Sequence, residues 1–468
     1  MRFRAPPVLF NSTEFLFFFL IVLSAYSLLR RHWRLRKWLL LVTSYWFYMS
    51  WNAPFGLLLA GSTVLDYVAA IRIAGTRTVR VRRLWLLASC LGNLGVLAFF
   101  KYGEFIAQNV WPVVPSGVAF PEFLSTIVLP IGISFYTFQS LSYSIDVYRG
   151  EQEPTHELLD FAIYVAFFPQ LIAGPIIRSA DFLPQLLENR SASAEEVLRG
   201  IDQVARGLAK KVLIADGLAG YVDLVYGAPT EFGSLNLIIA TYAYAFQIYC
   251  DFSGYSDIAI GVARILGFNV PVNFRLPYLA RNPWEFWTRW HISLSSWLRD
   301  YLYIPLGGGR VSRSRTYSNL MITMLLGGLW HGASWNFVLW GAFHGIWLVV
   351  HRTMFRERDA VRGGWLAMVA NFHLVCVGWV LFRAPTLSEA LQVFSGVLDF
   401  STPVYEIPPI VVILLGTALV THLLGERLGV HTAWRATPTP AKIGAYVLLA
   451  MALYFRSSET VQFIYFQF

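Results

Sequence analysis

Long apolar runs separated by short polar loops make up most of the chain, and they predict membrane-spanning helices. A run of about 20 apolar residues is long enough to cross a bilayer as a helix. The predicted spans in the first third cover residues 15–29, 38–51, 55–73, 84–102 and 123–148, and those toward the end cover 318–330, 334–350, 365–382, 408–424 and 441–455. Together with the segments between them, they predict an all-α polytopic membrane protein with about ten to twelve membrane elements.

Two further apolar segments are predicted to be interrupted. Residues 161–178 contain Pro169 and Pro175, and a proline inside a helix costs about 3 kcal/mol. A broken, re-entrant element is therefore expected there, because irregular backbone at membrane depth must be buried in protein or line a cavity. Residues 235–268 are too long for one straight span, and the pattern predicts a turn near Gly254.

Residues 282–303 have the pattern of one amphipathic helix. Asn282 is suited to an N-cap and Pro283 to the first helical position, and a glutamate follows in the capping-box position. Apolar and aromatic side chains recur at steps of four and three residues, namely Trp287, His291, Leu294, Leu298 and Tyr301. The pattern predicts a helix along the membrane interface with His291 on its buried side. The alternative is that these side chains only pack against neighbouring helices and that His291 is hydrogen-bonded to one of its neighbours.

Composition supports a membrane protein and gives its orientation. The 468 residues are 56% hydrophobic and 14% charged, which is more apolar surface than a soluble chain of this length can bury. Lysines and arginines exceed acids by 37 to 28, which indicates orientation rather than a nucleic-acid partner, because cytoplasmic loops collect positive charge. The basic loops 30–37 and 77–83, a surface helix within 181–217 and the arginine-rich segment 275–310 are expected on the cytoplasmic side.

The candidate chemistry centres on His331, within LLGGLWHGASWNFVLWGAFHG at residues 325–345. An ionisable side chain at membrane depth is costly to keep, so it marks a functional site by default. The alternative is a histidine hydrogen-bonded inside a helix bundle. Glycines 327, 328 and 332 allow a break or a close helix approach. An imidazole there could act as general base, taking the proton of a hydroxyl that attacks a thioester carbonyl.

Four weaker candidates accompany the two histidines. Asp251 could orient a catalytic histidine or pair with an arginine, and the structural role is favoured. Arg289 and Trp330 are candidate substrate-binding residues. Asn336 could hydrogen-bond an acyl oxygen or bridge two helices. The chain has no phosphate-binding loop and no His-Glu-x-x-His pair, and its three cysteines are far apart. No metal and no permanently bound cofactor are therefore expected.

Six blocks of the sequence carry a resemblance to a known family. They are FFPQLIAGPIIR, QIYCDFSGYSDIAIG, WEFWTRWHISLSSWLRDYLYIPLGG, GLWHGASWNFVLWGAFHG, GWVLFRAP and FIYFQF. They resemble the membrane-bound O-acyltransferase family, and in particular its bacterial branch, which includes the alginate O-acetyltransferase membrane subunit and the teichoic-acid D-alanyl transfer protein. The resemblance runs from Leu9 almost to the end of the chain, and neither the WHIS nor the WHG motif departs from the family pattern.

The resemblance implies a fold, a reaction and site residues. It implies one membrane-embedded domain over residues 1–468, a ring of helices around a thinned centre, and a tunnel joining a cytoplasmic donor to an outer acceptor. His331 becomes the catalytic candidate and His291 the second polar group, which would hold the donor or complete the tunnel.

The expected reaction moves an acyl group, with acetyl favoured, from a cytoplasmic thioester (acetyl-CoA or an acyl carrier). The acceptor is a hydroxyl of an exported cell-surface polysaccharide, reached directly or through a periplasmic acetyltransferase or other polysaccharide-modifying partner. The protein would span the bacterial inner membrane. The alternatives are D-alanyl transfer to teichoic acid and, from another class, a transporter or polymer-export channel without covalent chemistry.

Overall fold

The structure is a computed structural model that describes residues 9–113, 121–355, 364–425, 434, 437–456 and 463–464. Every regular element in these ranges is helical, which confirms the all-α prediction. The helices of the first half are α1 (Thr13–Leu28), α2 (Trp33–Met49), α3 (Phe55–Ala74), α4 (Val79–Leu97), α5 (Gly103–Val110), α6 (Ile133–Arg149), α7 (Leu158–Ala166), α8 (Phe168–Leu171), α9 (Ser179–Phe182), α10 (Ala194–Leu208) and α11 (Asp216–Gly227). Those of the second half are α12 (Ser234–Ile265), α13 (Pro283–Arg289), α14 (Ile292–Leu298), α15 (Arg313–His331), α16 (Trp335–Met354), α17 (Trp365–Arg383), α18 (Leu387–Leu398), α19 (Pro409–Leu424) and α20 (Thr439–Arg456).

The chain divides into two compact units. The first unit comprises Met1–Val204 and Ile258–Pro271, and the second comprises Ala205–Asp257 and Val272–Phe468. Both histidine motifs lie in the second unit.

In the first unit, α3, α4 and α6 surround the buried carboxylate of Asp66. Asn93 donates to this carboxylate at 2.8 Å and Ser144 at 2.9 Å, and the Ser89 hydroxyl donates as well. The hydrogen bonds satisfy an acidic side chain that is fully buried among apolar helices. They join three helices of the unit, α3, α4 and α6.

In the second unit, α15 and α16 form a tightly packed helical hairpin. A Cβ atom added to Gly328 would lie 2.2 Å from the carbonyl oxygen of Phe337, and one on Gly341 would lie 2.4 Å from that of Met324. Only glycine allows the two backbones to approach this closely. The hairpin fixes the position of His331 at the end of α15.

The predicted spans are only partly supported. Among the described residues, three helical segments are long and apolar enough to cross a membrane by length and composition, namely Phe55–Ala74, Val79–Val110 and Trp365–Arg383. They correspond to the predicted spans 55–73, 84–102 and 365–382. Shorter apolar helices cover Thr13–Leu28, Leu387–Leu398, Pro409–Leu424 and Thr439–Tyr454. The ring of ten to twelve elements stays a prediction.

The predicted turn near Gly254 is wrong. α12 is one continuous helix of 32 residues. A Cβ atom on Gly254 would lie 2.7 Å from the carbonyl oxygen of Gly207, so this glycine serves a close approach of two chain segments rather than a break. The prediction of an interrupted element at residues 161–178 is confirmed, because α7 ends at Ala166 and irregular backbone follows the single turn of α8.

The single amphipathic helix predicted over residues 282–303 is also wrong, although its start is confirmed. The Asn282 side chain accepts a hydrogen bond from the Glu285 N–H at 2.8 Å, as an N-cap does. The helix then ends at Arg289, Trp290 is extended and His291 is left-handed before α14 begins. The periodicity continues through this break, which is why the pattern did not reveal it.

The fifth predicted span, residues 123–148, begins too early. Its helix starts at Ile133, after Pro130 and the left-handed Gly132 at φ 74°.

The last block of the family resemblance falls mostly outside the described residues, since only Phe463 and Ile464 of it are described.

Candidate functional site

His331 is the last residue of α15. Gly332 follows in an extended conformation, and α16 begins three residues later at Trp335. The predicted glycine-containing break between two helices is thereby confirmed. The side chain of His331 is 4% exposed, so the break places an imidazole inside the protein.

Aromatic rings surround the His331 imidazole. The ring centroids of Trp340, Phe382 and Trp330 lie 5.0, 5.2 and 5.1 Å away, each nearly perpendicular to the imidazole plane. These walls come from α15, α16 and α17. They shield the imidazole from bulk water, as the enclosed site of a proton transfer would need.

His291 and His331 contact the same indole. The Trp330 ring lies 5.8 Å from the His291 ring and 5.1 Å from the His331 ring. Phe252 of α12 packs edge-on against His291 at 4.6 Å. The structure therefore brings together three of the residues that the sequence singled out, His331, His291 and Trp330.

His291 has an unusual backbone and no exposed surface. Its φ of 42° and ψ of 55° put it in the left-handed region, which few residues other than glycine adopt and which costs of order 1–3 kcal/mol. Burial lowers the pKa of its imidazole to about 3. The ring is therefore neutral near pH 7, in a conformation that the surrounding structure must hold.

Asp251 forms a buried ion network. The Nζ atom of Lys211 lies 2.7 Å from Asp251 Oδ1 and 2.7 Å from Asp216 Oδ1. The backbone N–H of Ile464 donates to Asp251 Oδ2 at 2.7 Å. Burial alone would lower the pKa of Lys211, but the two carboxylates raise it above its usual range. Asp251 therefore pairs with a lysine rather than with an arginine. These contacts of Asp251 do not involve His291; the residue after it, Phe252, packs against His291.

Arg289 and Asn336 form polar contacts with other residues of the protein. Arg289 pairs with Glu285 at 2.9 Å and donates to the carbonyl oxygen of Arg275 at 3.1 Å. Asn336 donates to the carbonyl oxygen of Ala384 at 2.7 Å, so it bridges α16 and the end of α17. The hydrogen bonds recorded for both residues link protein segments.

Sequence reasoning missed several residues of the site. Asn273, which contacts His291, and Lys211 are separated from their partners by 18 and 40 residues, and no local pattern marks them. Trp340 could have been found, because the 325–345 motif repeats tryptophan on both sides of the break. In the described part of the chain, no group of three or more His, Cys, Asp or Glu side chains could hold a metal ion.

Two buried histidines flank one indole in this helical membrane protein, and this cluster is the candidate site. Residues 91–384 match the family model of the membrane-bound O-acyltransferases. The chain belongs to this family, and it is an O-acyltransferase.

Named relatives cover most of the chain. It is 45% identical over 398 residues to the probable alginate O-acetylase of Pseudomonas aeruginosa, covering 84% of this chain and 76% of the relative. It is 36% identical over 436 residues to the peptidoglycan O-acetyltransferase of Helicobacter pylori, covering 85% and 81%. It is 29% identical over 273 residues to the teichoic acid D-alanyltransferase of Bacillus subtilis, covering 54% and 68%.

Proposed function

We propose that this O-acyltransferase moves an acetyl group from a cytoplasmic thioester, acetyl-CoA or an acyl carrier, to hydroxyls of an exported cell-surface polysaccharide. The relatives that match most of the chain are named for acetylation of alginate and of peptidoglycan. Those named for D-alanyl transfer match a smaller part of it at lower identity. Both comparisons favour acetyl as the group and a polysaccharide as the acceptor.

The observation that carries the proposal is the aromatic enclosure of His331 at the end of α15. In the proposed reaction, the imidazole takes the proton of the acceptor hydroxyl as its oxygen forms a bond to the thioester carbonyl carbon. The C–S bond then breaks, and the thiolate takes a proton from the imidazolium. A base held away from bulk water protects the thioester from hydrolysis in the same step.

The remaining groups support this transfer. His291 holds the donor or completes the path across the membrane, and Trp330 lies between the two imidazoles. A ring of helices around a thinned centre in the bacterial inner membrane would let the donor arrive from the cytoplasm and the acceptor from outside. A periplasmic acetyltransferase or other polysaccharide-modifying partner either completes the transfer or receives the acetyl group first.

NMR spectroscopy of purified envelope polysaccharide tests the proposal. It compares cells that produce the wild-type protein, cells that lack it, and cells that produce the His331→Ala variant. We expect O-acetyl signals in the wild type only, with the variant extracted from the membrane in normal amount. D-alanyl esters in the wild type would show that the transferred group is D-alanyl instead of acetyl. Acetylation by His331→Ala cells would contradict the role of His331.

A further inference from the structure

The backbone around His291 is held by a second chain segment through Asn273. The Ile292 N–H donates to the Asn273 carbonyl oxygen at 2.9 Å, and the Arg275 N–H donates to the Arg289 carbonyl oxygen at 2.9 Å. The two segments are therefore paired on both sides of His291. The pairing explains how a histidine is kept in the left-handed region.

The Asn273 side chain completes this arrangement, and its orientation follows from its partners. Its Oδ1 atom receives the Ser293 backbone N–H at 3.1 Å and the Ser293 hydroxyl at 2.9 Å. A backbone N–H can only donate, so the atom it meets must be the amide oxygen and not the nitrogen. Asn273 is 1% exposed, so no solvent competes for these bonds.

The same oxygen determines which nitrogen of His291 carries the proton. The Nδ1 atom of His291 lies 3.3 Å from Asn273 Oδ1. Since this oxygen can only accept, Nδ1 must be the protonated nitrogen of the neutral ring, and Nε2 keeps the lone pair. The group that holds the backbone of His291 thus also fixes its tautomer.

We propose that Asn273 is a positioning residue for His291: it holds the imidazole in its Nδ1–H form, in which Nε2 is the acceptor nitrogen. The importance of this tautomer for turnover rests on the proposed acyl transfer, whereas the tautomer itself does not depend on it.

Solid-state NMR of the wild-type protein in lipid, labelled with ¹³C and ¹⁵N in its nine histidines, tests the tautomer directly. The His291 signals are identified by their loss in the His291→Gln variant. We expect the chemical shifts of an Nδ1–H imidazole. An Nε2–H imidazole in the wild type would overturn the proposal even if acetyl transfer by the protein is confirmed.

Variants of Asn273 test its role in turnover. Asn273→Asp keeps an acceptor oxygen, so it should retain the Nδ1–H form and stay within about tenfold of the wild-type rate. Asn273→Leu removes the acceptor, and we expect a mixed tautomer and a kcat lower by about 10²- to 10⁴-fold, the usual range for misplaced acid–base groups. Equal losses in both variants, or an unchanged tautomer in Asn273→Leu, would contradict a positioning role.

Asn319 provides the matched control. It is another fully buried amide of the same unit, and its Nδ2 donates to the Gly308 carbonyl oxygen at 3.1 Å. Asn319→Leu removes a comparable buried hydrogen bond away from His291, so it should leave the His291 signals unchanged. A shift of those signals in Asn319→Leu would show that the tautomer follows general loosening of the fold, and would overturn the proposal.

Discussion

His331 and His291 are held in different ways, although both contact Trp330. His331 ends a helix, and its imidazole is enclosed by rings from three helices. His291 interrupts a helix, and a polar side chain from a distant segment holds it. The walls of the first arrangement are aromatic rings. The second selects one tautomer.

The ion network of Asp251 gives a prediction for stability. Lys211→Met would remove the cation that lies within 2.7 Å of both Asp251 and Asp216, and loss of one partner of a buried ion pair typically costs about 3–5 kcal/mol. We expect a large decrease in the unfolding temperature of the purified protein. Because the pKa of Lys211 is raised in the folded protein, its contribution is fully present below the ordinary lysine pKa of about 10.4 and is lost as the pH rises from there through the raised pKa of the folded state.

The double variant Lys211→Met with Asp251→Asn is the control for this prediction. It removes one charge from each side of the pair, so it should recover part of the lost stability. A Lys211→Met protein that unfolds at the wild-type temperature would contradict the network as described.

At the scale of single residues, the sequence was informative only where a motif is local. The Trp330–His331 pair and the glycine that follows could be recognised from consecutive letters. The contact of Asn273 with His291, and that of Lys211 with Asp251, could not, because side chains 18 and 40 residues apart meet only after the fold is formed.

At the scale of elements, the α15–α16 hairpin depends on its glycines. A methyl group at Gly328 would lie 2.2 Å from the Phe337 carbonyl oxygen, and overpacking of this kind costs typically 1–3 kcal/mol. Gly328→Ala should therefore lower the unfolding temperature and, because His331 ends the same helix, the acetyl-transfer rate. Both can be measured on the purified protein in detergent.

Gly416→Ala is the matched change in α19. Among the described residues, no atom beyond the adjacent backbone of the same helix lies within 4 Å of the Cβ position there, so the alanine should be neutral or slightly stabilising, given its higher helix propensity. Equal effects of the two substitutions would show that helix propensity, rather than the contact between α15 and α16, sets the outcome.

Apolar runs predicted many helices well, but not their interruptions. The predicted span 365–382 matches α17 to within a residue. At residues 282–303, however, the spacing of apolar side chains is helical on both sides of His291, while the hydrogen bonds that break the helix come from Asn273 and Arg275. At Gly254 the opposite error occurred, because the pattern predicted a turn where the helix is continuous. In the sequence, a glycine that allows close packing looks the same as a glycine that ends a helix.

At the scale of the whole molecule, the distribution of positive charge predicts the sides of the membrane. α3 and the segment Val79–Val110 are both long enough to span it. We therefore expect Arg77, between them, to face the cytoplasm and Glu122, beyond the second, to face outward. Single cysteines at these exposed positions, in a protein lacking its three native cysteines, should react with a membrane-impermeant maleimide from opposite sides.

Labelling of Arg77→Cys and Glu122→Cys from the same side would contradict this topology. Replacement of the three native cysteines by serine or alanine provides the unlabelled background, which must retain acetyl transfer for the test to apply.

The central claim is that His331 is the base of the transfer, and the rate of acetyl ester formation by purified protein in lipid tests it most directly. His331→Gln keeps a polar side chain of similar size but cannot take the proton, so we predict a rate lower by at least about 10²-fold. His373→Gln, which changes an exposed histidine bonded to Tyr242, should stay near the wild-type rate. A His331→Gln protein that forms ester at the wild-type rate would contradict the account.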